Sequence, residues 1–66
     1  MKVHLNGAEM ELPSPMSLSN LLIRLKLKVE TVVVEHNLEV PLKPNYGEIL
    51  IQDGDRIEIV KFMGGG

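Results

Sequence analysis

The chain has 66 residues, 44% of them hydrophobic, with a formal net charge of −2 and no cysteine. A chain of that length holds one domain that removes only about 60% of its unfolded surface from water, and two histidines without cysteine offer it neither a disulfide nor a metal staple. The composition excludes a disulfide scaffold and thiol catalysis, and one Tyr, one Phe and no Trp on a mildly acidic chain supply no nucleic-acid footprint.

Met1 to Gly7 reaches a turn before an apolar leader could form, and the longest aliphatic runs are Leu21-Leu22-Ile23, Val32-Val33-Val34 and Ile49-Leu50-Ile51. The expectation is a soluble, cytoplasmic protein without a membrane segment. Asn6-Gly7 supplies the two positive-φ positions of a type I′ turn between alternating segments, which predicts a β-hairpin. A two-residue loop sets Leu5 opposite Ala8, His4 opposite Glu9, Val3 opposite Met10, Lys2 opposite Glu11 and Met1 opposite Leu12, so one face is wholly apolar. Pro13-Ser14-Pro15 ends the second strand.

Ser17 then caps a helix whose Leu18, Leu21, Leu22 and Leu25 recur at i, i+3, i+4 and i+7, with Lys26 and Lys28 suited to its negative end. The helix is expected to lay its leucines on the apolar hairpin face. Thr31 to Glu35 reads as a buried β-branched strand ended by His36-Asn37, with brief pairing at Leu38-Glu39-Val40. Pro41, Pro44, Asn45 and Gly47 predict an irregular crossing, after which Ile49-Leu50-Ile51 returns to the core. Asp53-Gly54-Asp55 makes a tight turn, and Arg56 to Phe62 forms the last strand. Ile57 and Ile59 share the parity that faces the helix, which leaves Glu58, Val60 and Phe62 on the opposite face.

Few residues invite chemistry. Asp53 and Asp55 could be aimed at a metal, but no further ligand stands at a suitable spacing, so the turn reading is favoured and no metal site is expected. His4 and His36 have no Asp, Ser or Cys beside them in the sequence, and both read as surface residues. Gly64-Gly65-Gly66 precedes no helix and is no phosphate loop. These glycines read either as a frayed end or as a thread. Lacking Cβ atoms, an extended glycine run can pass a narrow channel and bring a carboxylate to a nucleotide.

The Asn6-Gly7 strand, the Leu21-Leu22 helix, the Val32-Val33-Val34 strand ending near Asn37, Asp53-Gly54-Asp55-Arg56-Ile57-Glu58-Ile59-Val60 and the final Gly65-Gly66 together resemble the ThiS family of sulfur carrier proteins from thiamine biosynthesis. The resemblance implies an α+β, ubiquitin-like β-grasp fold: a mixed sheet of four to five strands with one main helix packed on one face. It implies a domain over 1–63 and a flexible glycine tail over 64–66, with Gly64 and Gly65 leading to Gly66.

It also implies a carrier rather than an enzyme, with no bound cofactor. The Gly66 carboxylate is adenylated by an E1-like adenylyltransferase of the ThiF type that uses ATP. A persulfide-donating enzyme then supplies sulfur, and the thiocarboxylate serves a thiazole synthase of the ThiG type. The docking surface around the last strand maps to Val60, Phe62 and Met63. Molybdopterin carriers of the MoaD type and ubiquitin-like protein modifiers share fold and tail and stand as alternatives. MoaD-type chains are longer and carry prolines where this chain has Lys61-Phe62.

Overall fold

The computed structural model describes residues 1–62. Strands β1 (Lys2–Leu5) and β2 (Ala8–Glu11) form the expected hairpin in the expected register. Asn6 and Gly7 take φ of 51° and 83°, the positive values that a type I′ turn requires. The ladder runs one pair further, because the Leu12 N–H donates to Met1 O at 2.7 Å and the Met1 ammonium donates to Leu12 O at 2.8 Å. Alternation carries Val3 and Leu12 into the core, with Met1, Leu5 and Met10 packed against them.

A two-residue strand, β3 (Met16–Ser17), leads straight into helix α1 (Leu18–Arg24). Ser17 caps it: its hydroxyl accepts from the Asn20 N–H at 3.1 Å. Leu18, Leu21 and Leu22 are buried as the spacing predicts, but the helix stops short of Lys26. Leu25 is the C-cap, and Lys26 turns left-handed at φ 61°. The Lys26 N–H donates to Ile23 O at 3.0 Å and the Leu27 N–H to Leu22 O at 2.9 Å. This Schellman closure satisfies the last carbonyls, so the helix ends there, and Arg24 rather than Lys26 or Lys28 is the base of its final turn.

After a 3₁₀ turn over Val29–Thr31 comes β4 (Val32–His36), one residue later than the sequence suggests. Val32 and Val34 are buried and Val33 faces out, so this strand is covered on one face only. His36 and Glu39 exchange main-chain hydrogen bonds around Asn37 and Leu38, whose φ values of 50° and 72° make a second two-residue turn. The proline-rich crossing is more regular than expected. It contains a 3₁₀ helix over Lys43–Glu48, with Pro44 in its first turn, where a missing N–H costs nothing, and Tyr46 buried as its anchor. β5 (Leu50–Ile51) pairs antiparallel with β3, burying Ile51 and leaving Leu50 exposed.

The last strand, β6 (Arg56–Lys61), lies inside the main sheet. It runs parallel to β1 and antiparallel to β4, giving the order β2-β1-β6-β4. The α1 leucines join Val3, Val32, Val34 and Ile57 in one buried cluster beneath that sheet. A four-stranded mixed sheet holding one main helix is the ubiquitin-like β-grasp arrangement, with β3 and β5 as a separate small ladder. Among the described residues, no helix is long and apolar enough to cross a membrane.

Candidate functional site

The register of β6 against β4 decides what the tail end of the sheet displays. Val34 stands opposite Ile59 facing the core, and Val33 stands opposite Val60 facing away from it. Val60 is 61% exposed and Val33 42% exposed, so the two form an apolar pair on the open face. Next along the same face, Glu35 lies directly opposite Glu58. Like charges so placed weaken a ladder rather than strengthen it.

Phe62 follows β6, where its N–H donates to Thr31 O at 3.1 Å. Its ring has the Lys43 ammonium 5.4 Å from the centroid, and the residue is 40% exposed. Val60 and Phe62 are thus both at the surface, near where the chain leaves the sheet. Met63, Gly64, Gly65 and Gly66 lie outside the described residues.

Val33 is the exposed neighbour that a buried strand over Thr31 to Glu35 does not predict. The signal was available: in a half-covered strand only alternate positions can reach the core.

The aspartates of the turn are structural. Asp53 accepts from the Lys2 N–H at 2.8 Å, tying the turn to the start of β1. Asp55 accepts from the Gln52 N–H at 2.9 Å, from Asn37 Nδ2 at 3.1 Å and at 2.7 Å from His36 Nε2. Asn37 answers with its own oxygen, which accepts from the Arg56 N–H at 2.9 Å. His36 is therefore not the isolated surface residue that the sequence suggests, because the β4–β6 register brings it to a carboxylate. Burial acts to raise the pKa of Asp55. The hydrogen bonds from Gln52, His36 and Asn37, with the charge of protonated His36, outweigh it and hold the carboxyl below its ordinary value. Among the described residues, no group of His, Asp and Glu could hold a metal ion.

The sequence profile of the ThiS family matches residues 3–66. The chain belongs to the ThiS family. It is 41% identical over its full length to thiazole synthases from Paramagnetospirillum magneticum and Magnetococcus marinus, and spans 20% of their length. It is 42% identical over 50 residues to the sulfur carrier protein ThiS of Bacillus subtilis, covering 76% of each chain. The crystal structure of the thiamine biosynthesis protein ThiS from Geobacter metallireducens superposes with a TM-score of 0.86 at 33% identity, covering all of both chains.

Proposed function

We propose that this ThiS-family chain is a sulfur carrier for thiamine biosynthesis, acting as co-substrate of other enzymes through the Gly66 carboxylate. That oxygen attacks the α-phosphorus of ATP on an E1-like, ThiF-type adenylyltransferase, and pyrophosphate leaves. The terminal sulfur of a protein persulfide then attacks the acyl carbon and displaces AMP. A thiol cleaves the resulting acyl disulfide at its S–S bond, leaving the thiocarboxylate on Gly66 and a disulfide on the donor side. The thiocarboxylate delivers its sulfur to a ThiG-type thiazole synthase.

The observation that carries this reading is the setting of β6. It is an interior strand held on both sides, its open-face Val60 lies near its end, and the sequence beyond Phe62 continues as Met63-Gly64-Gly65-Gly66. The thiazole synthases that contain a relative of the whole chain favour the thiazole pathway. Intact-mass analysis after incubation with adenylyltransferase, ATP and a persulfide donor tests it. The expected product carries one sulfur in place of one carboxylate oxygen, and recovery of unmodified carboxylate alone would sink the reading.

A further inference from the structure

A second apolar feature lies outside the Val33–Val60 pair. Leu38, Val40 and Leu42 are 77%, 63% and 70% exposed, and they occupy alternate positions of one five-residue stretch. The stretch begins at the turn beyond β4, where Glu39 bridges back to His36 beside the start of β6. It ends at Lys43, whose ammonium sits over Phe62 at the other end of that strand. The stretch from Leu38 to Leu42 therefore spans from the start of β6 toward its end, with Leu38 at the first and Leu42, next to Lys43, nearest the point where the chain leaves the sheet.

Leu38 is held there against its own preference. At φ 72° it occupies a left-handed position where glycine would be unstrained, and its side chain is the most exposed large hydrophobe among the described residues. The Asn37 bonds to Asp55 and Arg56 fix the turn that displays it. A strained backbone that presents an unburied leucine gains nothing for folding, which points to something outside the chain.

We propose that Leu38, Val40 and Leu42 form a docking rail for the thiazole synthase that receives the tail. This rests on the carrier reading above, which supplies that partner. The rail ends where the tail departs, so a body that takes the tail into a channel lies against it. Relatives of this whole chain that form one-fifth of a thiazole synthase place the two partners in a single polypeptide.

The test measures binding of the full chain to its purified thiazole synthase by calorimetry, for wild type, Leu38→Gly and the triple variant Leu38→Gly/Val40→Ser/Leu42→Ser. Binding by wild type tests the carrier reading separately, since a chain that never binds the synthase defeats that reading before the rail is probed. The rail predicts that Leu38→Gly raises the melting temperature yet weakens binding, and that the triple variant binds at least about tenfold more weakly while remaining folded. Unchanged synthase affinity in the triple variant overturns the proposal. So does a loss confined to adenylate formation, which would assign the rail to the adenylyltransferase. A wild-type dimer in light scattering that the triple variant abolishes, with synthase affinity intact, would assign it to a second copy of this chain and overturn the proposal equally.

Discussion

Asp55 gathers three hydrogen bonds on one carboxylate, two of them from residues distant in sequence. Its depressed pKa means that its contribution to stability is complete above the unfolded value of 3.8 and is lost as pH falls through the lower folded value. Asp55→Asn removes the charge and puts an amide N–H₂ among the Gln52 N–H and Asn37 Nδ2 donors, so it should cost about 1–3 kcal/mol near neutral pH. In thermal melts the gap between variant and wild type should narrow once pH drops below about 4, as the wild-type carboxyl protonates. A gap that stays constant to low pH would show that the charge contributes nothing. This centre was not legible in the sequence, because His36 and Asp55 are 19 positions apart and meet only through the β4–β6 register. Asn6-Gly7 was legible, since the demand for two positive φ values is met by adjacent residues and checked by the alternation on either side.

At the scale of the element, α1 shows how a short helix is bounded by local rules that act against each other. Ser17 and the leucine period marked its start and buried face. The same period suggested one turn too many, because Leu25 continues the apolar pattern although Lys26 reverses the backbone. Lys26 occupies the position that glycine favours after a helix, at a cost set by its Cβ. Lys26→Gly should therefore stabilise the domain by about 0.5–1 kcal/mol, visible as a higher urea midpoint at unchanged slope. A lower midpoint would mean that the lysine side chain makes contacts worth more than the strain. In β4, β-branched composition is enough to identify the strand, while burial depends on which faces the sheet leaves uncovered.

For the molecule as a whole, the division of labour is between a core on one side of the sheet and an open face on the other. Val60 is on the open face, so Val60→Asp should leave the fold standing, with at most about 1 kcal/mol lost from strand preference. The proposed docking at Val60 predicts that the same change lowers the yield of Gly66 thiocarboxylate by about tenfold or more, because it would put a desolvated charge in that contact. Circular dichroism together with intact mass separates the two effects, and a normal yield would remove Val60 from the docking surface. The outward parity of Val60 is readable from the sequence. The exposure of Leu38, Val40 and Leu42 is not, because the brief pairing expected at Leu38-Glu39-Val40 is met by a single bridge at Glu39 and their exposure is decided by where the crossing packs.

The interior position of β6 bears on what happens when an enzyme tugs at the chain beyond Phe62. A strand at the margin of a sheet can be peeled away one bond at a time. β6 is laced to β1 over its first residues and to β4 along its length, and the Asn6 side chain accepts from the Ile59 N–H at 2.7 Å where β1 has run out. A pull along its axis therefore loads both ladders in shear, and many bonds must yield together. Traction on the terminal residues would move the domain as a rigid handle before it unravelled it.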